Sequence, residues 1–143
     1  MTWATDHIFV AGGDLALADW RDFQEQTAVS AVVVVSTESP RPLGAPNPWA
    51  LLWLPVGEET DYTLDHLTLG VQFIEAALEA GRKVLLYAPL GVHRTRPLVA
   101  ASLLARGKTL VRVLREMEQR PWLPPYKGSV ELLEQWMEVN SST

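Results

Sequence analysis

Residues 84–97 read Val84-Leu85-Leu86-Tyr87-Ala88-Pro89-Leu90-Gly91-Val92-His93-Arg94-Thr95-Arg96-Pro97. The first four form a short apolar run of the kind that makes a buried strand. Pro97 suits the first position of a helix, and the residues that follow, to Ala105, are rich in Ala and Leu. A turn from a buried strand into a helix N-terminus is an anion site by construction. The orphan amides of the first helical turn point outward, and the helix dipole adds about half a positive charge. Gly91 lets the backbone turn back on itself. Arg94 offers a planar fork that takes two oxygens of a phosphate, and Thr95 adds a hydroxyl.

The flanking sequence alternates strand and helix signals. Residues 7–10 form a β-type run that ends at Gly12-Gly13, a turn with no dinucleotide fingerprint after it. Residues 18–27 have helical spacing, with Trp20 and Phe23 on one face. Residues 31–36 carry four consecutive valines and predict a strand buried on both faces. Four prolines and Gly44 make residues 39–49 a long surface loop, and residues 50–54 are another apolar strand. Leu64, Leu67, Val71, Ile74 and Leu78 recur at helical spacing, with Thr63 to cap the start and Gly81 to stop the end. Thr109 opens a helix with Leu110, Leu114 and Met117 on one face, ended by Pro121. Ser129 caps a last helix that turns Val130, Leu133 and Met137 inward. Strands alternating with helices predict an α/β sandwich on a mainly parallel sheet, with the ligand at the carboxyl ends of the strands.

At 143 residues the chain is expected to be one domain, residues 1–143. An apolar share of 48% with 20% charged residues excludes disorder and fibrous repeats. The strongest apolar run, residues 31–35, is far short of the roughly 18 residues of a membrane span. No signal peptide is expected from residues 1–10, so a cytoplasmic location is the default. The net charge of −5 disfavours a nucleic-acid surface. There are no cysteines, which removes disulfides, cysteine zinc sites and a thiol nucleophile. His7, His66 and His93 lack metal-ligand spacing, so neither metal nor cofactor is expected. Trp20, Trp53 and Trp136 are expected in the core or half-buried, and Trp49 and Trp122 beside prolines could form an exposed patch.

Residues 87–95 resemble the signature loop of the cysteine-dependent dual-specificity and protein tyrosine phosphatases, His-Cys-x-x-Gly-x-x-Arg-[Ser/Thr]. The resemblance extends over nearly the whole chain: residues 7–13 resemble the family's first strand and turn, and residues 31–38 its strand ending in Ser-x-Glu. Leu54-Pro55-Val56 resembles the strand before the general-acid loop, and the helix over 64–78 and the tail Arg120-Pro121-Trp122 also fit. It implies a single-domain three-layer sandwich, a mainly parallel sheet of four or five strands flanked by helices. It also implies that Ala88, Leu90, Gly91, Val92, His93, Arg94 and Thr95 form the phosphate cradle.

The departures change the expected chemistry. The family's nucleophile is a thiolate, and its position here is Ala88, whose methyl group cannot attack phosphorus. The preceding histidine is Tyr87, and Pro89 removes one amide from the cradle. The acid loop reads Val56-Gly57-Glu58-Glu59-Thr60-Asp61, with Glu58, Glu59 and Asp61 as stand-ins out of register, otherwise a solvated loop. An engineered Cys-to-Ala change in a protein or phosphoinositide-type phosphatase accounts for Ala88 alone, and a naturally degenerate site accounts for all of these. Anion binding is separable from the nucleophile, because a fork and a dipole need no thiolate. The expectation is therefore a pseudophosphatase-like domain of phosphoric monoester hydrolase ancestry. It would bind phosphate, sulfate or a phosphorylated protein or small molecule, and neither nucleic acid nor membrane. An interaction scaffold with a vestigial pocket is the other reading, and water activation by His93 or Glu58 a further one with nothing to position the water. Arg94 could instead tie the loop to a carboxylate, Thr95 could serve only as a helix cap, and His93 could face solvent. Asp65 suits the N-terminus of its helix.

Overall fold

The computed structural model describes residues 2–13, 19–89, 92–119 and 127–141. Its elements, in chain order, are β1 (Thr2–Trp3), β2 (Ile8–Gly12), α1 (Trp20–Thr27), β3 (Val29–Val35), β4 (Ala50–Leu54), a 3-10 turn at Glu59–Asp61, and α2 (Leu64–Glu79). They continue with β5 (Lys83–Ala88), a second 3-10 turn at Val92–Thr95, α3 (Arg96–Ala105), α4 (Leu110–Glu118) and α5 (Lys127–Ser141). The sheet has five strands in the order β1-β2-β5-β3-β4. β2, β5, β3 and β4 run parallel, and β1 pairs antiparallel on the β2 edge. This is the expected three-layer α/β sandwich.

Chain direction explains the layers. The path from β2 through α1 to β3 passes over β5 in one direction, and the path from β4 through α2 to β5 returns in the other. Right-handed crossovers then place α1 and α2 on opposite faces. The valines of β3 serve both: Val33 and Val35 join the core under α2–α5, and Val32 and Val34 join a second cluster with Trp20, Phe23 and Tyr87 under α1. The segment 36–49 follows the α1 side, where Leu43 packs against that second cluster and the Trp20 indole donates to the Pro46 carbonyl at 2.7 Å.

Element ends differ from the sequence reading in instructive places. Asp19 caps α1 through its carboxylate, and Ala18 lies outside the described residues. α3 begins one residue early, at Arg96, which puts Pro97 in the second helical position, where its missing N–H is still harmless. α5 spans Lys127–Ser141, so Ser129 lies inside its first turn and not at the position before it. α4 turns Val113 and Met117 fully inward, while Leu110 and Leu114 are half-buried on the flank of the same stripe. Trp20 and Trp136 are core residues, but Trp53 is 40% exposed, because β4 lies beyond the cover of α1. Pro121 and Trp122 fall outside the described residues.

α2 and α3 approach closely at Gly70. A Cβ placed there would stand 2.4 Å from Cδ1 of the fully buried Leu98. Gly70→Ala gains about 1 kcal/mol of helix propensity and costs roughly 1–3 kcal/mol of overpacking. We expect a net loss of about 1 kcal/mol in urea unfolding, with the midpoint lowered and the slope unchanged.

Candidate functional site

The candidate site lies where β5 ends. β5 is the central strand, buried on both faces and paired along both edges, so its C-terminus opens where its neighbours also end. Ala88 closes it, fully buried, with its methyl in the larger core. Its carbonyl accepts the Gly13 N–H at 3.3 Å. Tyr87 faces the other side, and its hydroxyl donates to the Gly13 carbonyl at 2.6 Å. Both residues thus tie the end of β5 to the turn after β2, where Gly13 has a positive φ of 85°.

Leu90 and Gly91 lie outside the described residues, as does the side chain of Val92. The 3-10 turn at Val92–Thr95 leads straight into α3. His93 is exposed, and Arg94 is half-buried. The Arg94 Nε–H donates to the Gly57 carbonyl, in the segment that the resemblance would make the acid loop. Among the described residues no carboxylate pairs with Arg94. Thr95 holds the cap position of α3 and is fully buried, yet its hydroxyl makes no capping hydrogen bond; its backbone is already helical there and its side chain turns inward.

Residues 57–62 are bound to this turn at three places. Besides the Gly57 contact, the buried Tyr62 hydroxyl donates to the Arg94 carbonyl at 2.5 Å. The third tie is an ion pair between Arg96 and Glu59, whose side chains are 13% and 10% exposed. Glu59 is therefore no solvated residue: its carboxylate is taken by Arg96. Asp61 is exposed and accepts the Glu58 N–H at 3.1 Å, closing its own 3-10 turn. Glu58 is exposed. Asp65 lies in the first turn of α2, which Thr63 and His66 cap reciprocally at 3.1 and 3.3 Å. Elsewhere Lys108 and Arg112 are satisfied by Glu116, whose carboxyl they hold below its ordinary range, Lys108 most.

Sequence reading missed the Arg96–Glu59 pair, because 37 residues separate its members. One local signal existed. An arginine in the first turn of a helix opposes the dipole and needs a carboxylate nearby.

Fold and loop together define a class: the dual-specificity phosphatase fold, here in a degenerate form with alanine at the nucleophile position and no cysteine in the chain. Human DUSP28 matches with a TM-score of 0.80 at 25% identity, over 99% of this chain and 99% of its own. A mouse putative dual specificity phosphatase complexed with zinc tungstate matches with a TM-score of 0.79 at 24% identity, over 96% and 86%. The human tyrosine phosphatase-like serine/threonine/tyrosine-interacting protein has a TM-score of 0.81 at 15% identity, over 99% and 97%. No protein-family profile and no curated protein sequence matches the chain.

Two predictions follow from the ties. Arg96→Ala leaves the Glu59 carboxylate buried and unpaired and is expected to cost about 3 kcal/mol, read by thermal or urea unfolding; Glu59→Gln, which removes the charge that needs a partner, is expected to cost less. Burial, and secondarily the Glu59 charge, push the Tyr62 phenol far above its ordinary value of 10.0. The fold keeps this phenol neutral while the unfolded chain ionises it. Its contribution to stability is thus full below about pH 10 and declines as the pH rises further. Tyr62→Phe should be less stable at neutral pH by about 1 kcal/mol for the lost hydrogen bond, and its alkaline decline should be shallower than that of the parent.

Proposed function

We propose that this domain is a pseudophosphatase that holds a phosphate group, free or on a protein or small molecule, in the loop formed by residues 88–95. The observation that carries the reading is the setting of Arg94. Its Nε–H is occupied by a backbone carbonyl, and no described carboxylate neutralises it. A guanidinium held by Nε keeps its two terminal nitrogens for a second, bidentate partner. The positive end of α3 stands beside it. The tungstate on the mouse neighbour is a phosphate-like oxyanion on the same fold, and an interacting protein among the neighbours is in keeping with a binding role. Ala88 removes the attacking group, and it also removes a thiolate charge that would repel the ligand. Two like charges at about 4 Å repel by ~4 kcal/mol at an effective dielectric of 20, against about 1 kcal/mol for the amide lost at Pro89. The cytoplasmic location expected from the sequence belongs to the same reading.

Titration of the folded protein with inorganic phosphate or sulfate, followed by NMR, should give saturable shifts at His93, Arg94 and Thr95 that Arg94→Ala abolishes. Absence of shifts at millimolar anion would reject the cradle and leave the scaffold reading. Ala88→Cys distinguishes an engineered inactivation: we expect no turnover of an aryl phosphate, since Glu59 is committed to Arg96 and Asp61 to its own turn. Turnover by this variant would mean that an active phosphatase had lost its nucleophile alone.

A further inference from the structure

Among the described residues β4 is the last strand of the sheet, and one of its edges has no strand beside it. Its sequence, Ala50-Leu51-Leu52-Trp53-Leu54, carries no charge and no proline, the residues that usually protect such an edge. The Ser36 N–H donates to the Leu54 carbonyl at 3.1 Å, which directs the backbone groups of Leu54 toward β3. By alternation Ala50 and Leu52 do the same, and Leu51 and Trp53 present their N–H and C=O groups outward. The side chains of these two lie on the α1 face, beside Val32 and Val34. α1 does not reach them. Leu51 is 36% exposed, Trp53 40%, and Trp49, two residues before Leu51, 46%. A stripe of three large apolar side chains thus borders an open strand edge.

The charges around the stripe are polar in the geometric sense. At the N-terminal end of β4 the Arg82 guanidinium lies over the Trp49 ring, 5.4 Å from its centroid. At the C-terminal end, Glu38 follows the Ser36 that caps the strand, and Glu58 follows on the chain itself; both are exposed. An antiparallel partner with the same arrangement would set acid against base at each end.

We propose that this edge pairs with β4 of a second copy of this chain, antiparallel about a two-fold axis at Leu52, to make one continuous sheet across the dimer. In that register Leu51 of each copy stands opposite Trp53 of the other. Both are outward-facing residues, so they form the hydrogen-bonded pairs, and Leu52 meets its own mate in the intervening pair. Arg82 of each copy then approaches Glu38 and Glu58 of the other. The interface is isologous and closed, so it ends at two chains. The stripe and edge are small against the roughly 800 Å² per partner of a stable complex, which makes the dimer a concentration-dependent one.

Analytical ultracentrifugation of the full chain from low to high micromolar concentration tests this. The average mass should rise from one chain toward two. Trp53→Lys, and Leu51→Lys on the same face, should remain single chains with an unchanged circular dichroism spectrum. Arg82→Glu should weaken association, and adding Glu38→Arg with Glu58→Arg should restore it. Because the chain has no cysteine, Leu52→Cys gives a clean register test. Two such residues in a non-hydrogen-bonded antiparallel pair stand about 4.5 Å apart between Cα atoms, within disulfide range, and mild oxidation should yield a covalent dimer. A single chain at every concentration, with no cross-link, overturns the proposal. So does a dimer that both lysine variants leave intact. So does a monomer that takes up an extended apolar peptide at Leu51 and Trp53 in place of a second copy. None of these readouts depends on anion binding at residues 88–95.

Discussion

Strand β5 is enclosed on every side. Its faces are covered by the two apolar clusters and its edges by β2 and β3. Nothing can happen along its length, and so what the strand does, it does at its end. The chain leaves Ala88 where the neighbouring strands also end, and through the 3-10 turn at Val92–Thr95 it enters α3. The position of the candidate site is a consequence of that enclosure, and the enclosure needs no thiol at residue 88. Alanine fits the buried position at the strand end as a small apolar side chain should.

The segment 57–62 is committed to the turn that follows β5. Glu59, Gly57 and Tyr62 are each spent on the turn that follows β5: one as the partner of Arg96, one as acceptor for Arg94, one as donor to the Arg94 carbonyl. These contacts join two segments that are distant in sequence and give Arg94 a defined orientation. A buried ion pair contributes little net stability over an apolar pair of the same shape, but it penalises any arrangement that separates its members. Here that penalty holds the loop. The same direction-of-chain logic leaves a cost elsewhere: the segment 36–49 crosses the α1 face without a helix of its own, and Trp53 of β4 and Trp49 just before it stay exposed.

Much of this was legible in the sequence. The four valines of β3 belong on a doubly covered strand, and Thr63 and Thr109 cap the helices they precede. The strand–turn–helix around Ala88 could be placed from its apolar run, its glycine and its proline. These signals are local: propensity, period and capping are properties of adjacent residues, and adjacent residues carry them wherever the chain goes. Ser129 shows the limit even of local rules, since a good capping residue was passed over by a helix that starts two residues earlier.

Partnership was decided only in three dimensions. The order of strands and helices, the loop with Arg94 and the absence of a thiol could be read from the amino-acid sequence. It could not tell that Glu59 faces Arg96, that Thr95 turns inward without capping its helix, or that Trp53 stays open while Trp20 and Trp136 are buried. Each of these depends on which surface arrives from a distant part of the chain. Burial and pairing energies attach to contacts, and contacts across dozens of residues leave no period or motif in either segment.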